Sequence, residues 1–460
     1  MLFTTIPFVI FLVVVLGLFY ALPRPIRRYL LLFASLFFYM AWNVKFVVLI
    51  LGLITVDYFA ALWIKSRLGW DRRLALIVSL CANIGLLGWF KYANFIRETW
   101  LTALHPRMSV EPLAIIIPLG ISFHTFQSIS YVIDVYRGEQ EAITSYIDYA
   151  LFVAFFPQLV AGPIVRAEEF FADYFNWRPP TALEWQRGCA QILTGYIKKM
   201  IFADGFALVA DSYFNNPQAF PGLFPAWSGA VAFALQIFFD FSGYTDIAIG
   251  VALLFGFHFP ENFRRPYLSA SITEFWRRWH MTLSGWLRDY IYISLGGNRR
   301  GEFRTYVNLM LTMLLGGLWH GASWNFVIWG GYHGLLLAIE RAVWGRKALQ
   351  GLIRVPLTVV TFALACIGWV FFRAKTFHTA VYVLSQMFSR VRGHSVLSTL
   401  QWRLAIATLI VALAEEYSGV LTKLVESPAW VRTIAAVAAL LAIEIFSASD
   451  KSLPFVYFQF

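Results

Sequence analysis

The chain reads as an all-α, polytopic integral membrane protein, on three grounds: its composition, the spacing of its apolar runs, and the places where basic residues fall. Of 460 residues, 59% are hydrophobic and 14% charged, against roughly 25% charged in an ordinary soluble domain. A mean hydropathy of +0.64 leaves too few polar side chains to cover water-facing domains. A helical crossing takes about 20 mostly apolar residues, so the length has room for roughly a dozen. The 44 Phe, 21 Tyr and 18 Trp suit lipid-facing surfaces and interfacial belts. The formal charge is +11, from 37 Lys and Arg against 26 Asp and Glu. Because the basic residues flank apolar runs, membrane topology accounts for them better than nucleic acid does. Cys81, Cys189 and Cys366 lie far apart, a spacing that indicates neither a disulfide framework nor a metal site.

The elements follow in order. Run 2–22 is uncharged and is followed by LPRPIRR, which lacks a small-residue cleavage pattern; it predicts a retained first span, with the mature chain beginning at Met1. Further runs cover 29–42, 46–64, 74–90, 113–133, 146–165, 226–257, 307–318, 324–337, 357–372, 404–414 and 431–446. Arg24, Arg27 and Arg28 follow the first run, and Lys65, Arg67, Arg72 and Arg73 follow the third. The positive-inside rule places both clusters in the cytoplasm and the N-terminus outside. Short runs interrupted at Ile117-Pro118-Leu119-Gly120 and Leu315-Gly316-Gly317 predict re-entrant or broken helices lining a polar cavity. No internal repeat is visible, which argues against a transporter built from duplicated halves. The uncharged, three-proline segment 213–227 predicts an interfacial loop outside the cell. Segment 261–304 carries eight Arg against Glu261, Glu274, Asp289 and Glu302, the mark of a cytoplasmic face.

That segment carries the first Trp-His pair. Ser271-Ile272-Thr273-Glu274 has the form of a capping box, and Gly296-Gly297 forms a stop, predicting one helix over 272–295. At about 100° per residue, Phe275, Trp276, Trp279, His280, Leu283, Trp286, Leu287 and Tyr290 share a face, with Arg277, Arg278, Arg288 and Asp289 opposite. Such a helix lies in the membrane interface, its imidazole toward the protein and its arginines toward water or anionic groups. The plain alternative is an amphipathic surface helix that tolerates a histidine. The second pair, in LLGGLWHGASWNF, sets His320 beside Trp319 at the end of an apolar run with Gly316, Gly317 and Gly321 nearby. An ionisable residue in an apolar run is costly and commonly faces a cavity, and histidine is the side chain best suited to take a proton near neutral pH. The competing reading is a neutral histidine hydrogen-bonded between helices. His333 in GGYHG and His124 in ISFHTF are weaker candidates that structure alone could explain.

Other signatures are missing. There is no G-x-S-x-G elbow, Walker A loop or H-E-x-x-H helix, and no histidine is followed by Asp at the fourth or fifth position; His320 has Asn325 there. The acids Asp57, Asp240, Asp246, Glu340 and Glu444 could form proton or ion sites, pair with Arg373, or face headgroups.

FWRRWHMTLSGWLRDYIYISLGGNRRG followed some 40 residues later by GGLWHGASWNFVIWGGYHG resembles the membrane-bound O-acyltransferase family. PLGISFHTFQSISYVIDVYRGE, FFPQLVAGPIVR, FSGYTDIAIG, NFRRPY, WVFFRA and the terminal PFVYFQF resemble its bacterial branch that acetylates exopolysaccharides such as alginate. The likeness covers most of the chain and is strongest over 117–334. It implies one membrane domain over 1–460, a ring of tilted helices around a thinned centre where a cytoplasmic funnel meets an opening on the other side. It implies that His320 is the catalytic histidine and His280 its partner, with Trp319, Asn325, Trp276 and Asp289 in support. In some related acyltransferases the partner position is Asn. It implies an acyl thioester donor, most simply acetyl-CoA, and no permanently bound cofactor; Arg277, Arg278 and Arg288 would attract the donor's phosphates. His320 would act as general base on an acceptor hydroxyl in a dry channel, with His280 orienting the thioester or oxyanion. It further implies the bacterial inner membrane, membrane lipid around the chain, and separate periplasmic acetyltransferase proteins that pass the group to a polysaccharide. A D-alanyl transferase for a cell-wall polymer shares the fold and both histidines. A transporter is the reading from a different class, and it has no use for both Trp-His motifs.

Overall fold

In a computed structural model, residues 1–105, 110–160, 162–345, 351–447 and 455–456 are described, and every regular element among them is helical. Ala161 and most of the terminal PFVYFQF lie outside the described residues. Among the described residues five helices are long and apolar enough to cross a membrane, Lys45–Ser66, Gly69–Leu104, Leu223–Leu254, Gly351–Arg373 and Ala429–Phe446, with Ile6–Ala21 apolar but shorter. The other expected runs fold as shorter helices, run 146–165 as the pieces Tyr146–Ala154 and Phe156–Leu159. The described residues form two compact units, Met1–Cys189 with Ala248–Pro260, and Ala190–Ile247 with Glu261–Phe460.

In the first unit, Phe3, Phe8, Phe11, Phe38 and Phe156 pack with ring centroids 4.7 to 6.2 Å apart, which ties Ile6–Ala21 to Arg24–Met40. Run 146–165 breaks after Tyr146–Ala154, and the Phe156 N–H released at the break donates to Ser35 Oγ at 3.1 Å. That bond answers a backbone donor that lipid could not. At the Pro118-Leu119-Gly120 interruption, helix Ile121–Arg137 starts from Gly120 with φ 70°. A Cβ there would stand 2.3 Å from the Leu159 carbonyl oxygen, so both the backbone and the space demand glycine. Asp57 is buried and accepts from Ser79 Oγ at 2.6 Å and Asn83 Nδ2 at 2.8 Å. Ser79 and Asn83 are one turn apart, so this carboxylate clamps Lys45–Ser66 to Gly69–Leu104. In the same unit, His258 bridges Asp173 at 3.1 Å and Glu184 at 3.0 Å, and Arg178 pairs with Glu184 at 2.6 Å. Burial alone would lower the His258 pKa, but hydrogen bonds to Glu184 and Asp173 outweigh it and raise the value.

In the second unit, the loop expected over 213–227 is shorter: Asp204–Asn215 ends late, and the long helix begins at Leu223. Pro225 falls in the first helical turn, where a missing N–H costs nothing because that donor has no intrahelical partner. The expected break at Leu315-Gly316-Gly317 is also absent, since Glu302–His320 is one continuous helix. Gly317 serves close approach to Trp324–Trp344 instead. A Cβ on Gly317 would meet the Phe326 carbonyl oxygen at 2.2 Å, and one on Gly330 the Met313 carbonyl oxygen at 2.3 Å. Most of the intramembrane acids have partners. Lys199 Nζ lies 2.8 Å from both Asp204 and Asp240, and Lys198 lies 2.6 Å from Asp246. Glu340 accepts from the Ile272 N–H at 2.7 Å, which caps the helix Ile272–Arg278. Arg373 pairs with Asp211 at 2.5 Å rather than with any acid named above, and Glu444 is exposed.

Candidate functional site

The helix expected over 272–295 is interrupted at the histidine. Ser271 Oγ does accept from the Glu274 N–H at 3.1 Å, but Glu274 turns to the Ala270 N–H at 3.0 Å and to Arg278 and Arg354. The helix ends at Arg278, Trp279 is extended, and His280 adopts φ 43°, ψ 56° before Met281–Trp286 resumes and passes into a π-turn at Leu287–Tyr292. The cause lies in an adjoining segment: the Arg264 N–H donates to Arg278 O and the Met281 N–H to Asn262 O, both at 2.9 Å. Asn262 Oδ1 also accepts from Thr282 N at 3.2 Å and Oγ1 at 3.0 Å. These bonds hold open a left-handed conformation that costs a non-glycine residue free energy, though histidine adopts it more readily than most.

The break turns His280 inward. It is 0% exposed and His320 is 3% exposed, and their ring centroids are 6.4 Å apart. Phe241 at 4.6 Å, Phe263 at 6.2 Å and Trp319 at 5.7 Å surround His280. Trp319 and Trp329, each at 5.0 Å, and Phe372 at 5.2 Å surround His320. Burial among these rings pushes the His280 imidazole down to about 3, because the charged form is poorly solvated there. At this spacing two imidazoles can flank one reacting group, and the aromatic walls keep bulk water away.

The other expected residues are distributed more widely. Trp276 touches Trp329 and His333. Asn325 donates to Ala374 O at 2.8 Å, so its amide fixes the loop after Gly351–Arg373. Arg278 is bound to Glu274 and Glu416, each at 2.9 Å, a structural use that competes with donor phosphates. Arg288 and Asp289 pair with each other at 2.6 Å, and Arg277 is exposed. His124 is buried in the first unit. Sequence reasoning assigned no role to Phe241, Phe263, Trp329 or Phe372, although FSGYTDIAIG, NFRRPY, GGLWHGASWNFVIWGGYHG and WVFFRA contain or adjoin them. It also missed the buried Lys199 cluster. There Asp240 also accepts from the Val456 N–H at 2.5 Å, and Phe455 packs on Phe241 at 5.4 Å.

The model of the membrane-bound O-acyltransferase family matches residues 139–380. A probable alginate O-acetylase AlgI of Pseudomonas aeruginosa is 47% identical over 83% of this chain and 73% of its own length. Its counterpart in Pseudomonas putida is 45% identical over 88% and 84%. A peptidoglycan O-acetyltransferase of Helicobacter pylori is 36% identical over 94% and 91%. An integral membrane O-acyltransferase by these matches and by its apolar helices, the chain belongs to the membrane-bound O-acyltransferase family.

Proposed function

We propose that the chain carries acetyl groups from a cytoplasmic thioester donor, acetyl-CoA, across the bacterial inner membrane for O-acetylation of an exopolysaccharide such as alginate. The observation that carries this reading is the pair of buried imidazoles 6.4 Å apart inside an aromatic wall, in a chain 47% identical to a probable alginate O-acetylase. His320 accepts the proton of an acceptor hydroxyl as its oxygen bonds to the acyl carbon. The carbon–sulfur bond then breaks, and the thiolate takes the proton from His320 and leaves as thiol, so no proton is gained or lost overall. His280, neutral at physiological pH, orients the thioester. Exclusion of water limits loss of the donor to hydrolysis. Separate periplasmic acetyltransferase proteins pass the group to the glycan, and the N-terminus faces the periplasm.

The test uses inverted membrane vesicles, cytoplasmic face outward, supplied with acetyl-CoA labelled in the acetyl group. Label reaching a lumenal acceptor only when the chain is present supports the reading. Label that moves from an acyl carrier protein but not from acetyl-CoA would overturn the donor assignment.

A further inference from the structure

Three rings of the second unit close on one another beside His320 and leave their polar atoms unused. His333 meets Trp329 at 4.9 Å and Trp276 at 5.3 Å between ring centroids, and the two indoles meet at 5.6 Å. Trp329 and His333 are each 1% exposed. The Nε1 atoms of both tryptophans and both ring nitrogens of His333 are shielded from solvent and reach no hydrogen-bond partner among the described residues. Buried polar groups are nearly always satisfied, so unused nitrogens on three touching rings call for a group the chain itself does not provide.

The inventory defines that group. Each indole offers one N–H, and a neutral imidazole offers one donor and one acceptor, which makes three donors to one acceptor. An oxygen that accepts and carries no hydrogen suits this set better than a hydroxyl or a cation. The rings around His333 are Phe275, Trp276, Trp329 and Tyr332. None is charged, so they would leave a phosphate poorly compensated. A carbonyl oxygen fits. Trp329 also meets His320 edge-on at 5.0 Å, which sets any oxygen held here one ring away from the imidazole that takes the acceptor's proton.

We infer that Trp276, Trp329 and His333 bind the carbonyl oxygen of the donor thioester, an inference that rests on the thioester reading above. As the acceptor oxygen bonds to the acyl carbon, negative charge develops on that carbonyl oxygen. N–H donors already in place among buried rings stabilise it more than they stabilise the ground state. No proton moves to or from these three residues.

Two inert analogues test this in vesicles carrying the full chain: acetonyl-CoA keeps the carbonyl behind an added methylene, and ethyl-CoA lacks it. Each competes with labelled acetyl-CoA. Wild type should prefer the carbonyl analogue by about tenfold, the size of one good hydrogen bond. Trp329→Phe and His333→Phe should bring the preference to about one, and His333→Gln, which keeps a donor, should restore part of it. Trp276→Phe serves if either fails to accumulate. A preference that is the same in wild type and variants would overturn the inference, leaving the nitrogens to a bound water. If neither analogue competes in wild type, the acetyl-CoA reading fails first and the inference falls with it.

Discussion

Gly317→Ala should cripple the enzyme while Gly316→Ala, one residue away, should not. A Cβ at 317 would stand 2.2 Å from the Phe326 carbonyl oxygen and 3.1 Å from the Gly330 backbone, whereas ordinary contact begins at 3.4 Å. The two helices must therefore separate by roughly 1 Å, since neither contact atom is a side chain that could swing aside; overpacking of this kind costs about 1–3 kcal/mol. His320 lies three residues further along the same helix, and a displacement of about 1 Å at a reacting group can cost roughly 100-fold in rate. At 316 the added methyl meets only Leu287 Cδ1, at 3.0 Å, and that side chain can rotate. The assay is labelled acyl transfer per folded molecule, with thermal unfolding in detergent to measure the packing cost. Equal activity in the two variants would refute the claim that the 317/330 crossing sets the position of His320.

Three further outcomes follow from the same geometry. Asp57→Ala leaves the buried donors of Ser79 and Asn83 without their acceptor, at about 1–3 kcal/mol for each, so detergent unfolding should shift down by several degrees; an unchanged transition would show that the clamp is not structural. Arg277→Gln should raise the donor KM with little change in unfolding temperature, whereas Arg278→Gln should lower that temperature by removing the bridge between Glu274 and Glu416; the reverse pattern would exchange their roles. The pKa of His258 is raised in the fold, so its charge contributes stability that is complete below its unfolded value of about 6.5 and is lost as pH rises through the folded value. Wild type should thus lose unfolding temperature above about pH 6.5 relative to His258→Gln, and parallel curves would sink the assignment.

Local chemistry in the sequence was a sound guide where the determinant was local. The Ser271 cap, the interruption at Gly120 and the apolar crossings all rest on neighbours within a turn or on intrinsic backbone preference. The pair Gly316-Gly317 shows the limit: glycines read equally well as a break or as a close crossing, and the choice belongs to Gly330 and Phe326 on another helix. The same holds for His280. Periodicity placed it on a continuous face, but backbone bonds from Asn262 and Arg264 stop the helix there and turn the ring toward His320. Segment 213–227 misled because three prolines suggest a loop, whereas one of them sits where a helix tolerates it. The acids were visible but their partners were not, since Lys199 and Asp240 are brought together only by the folded second unit. Among the candidate site residues, His320 stood out because charge in an apolar run is costly and His280 because it shares a helix face with aromatic residues, while Trp329 and Phe372 look like ordinary core until both are seen to pack on His320.

The role of His320 as the base is the step on which transfer most directly depends. Single-turnover acetyl transfer should be followed in vesicles with wild type, His320→Ala and His280→Asn at matched expression and matched detergent unfolding temperature. His320→Ala should give no transfer above background and His280→Asn a reduced but measurable rate, since asparagine tolerates the left-handed backbone and its side-chain amide can still donate a hydrogen bond. Transfer by a folded His320→Ala protein at close to the wild-type rate would contradict that role.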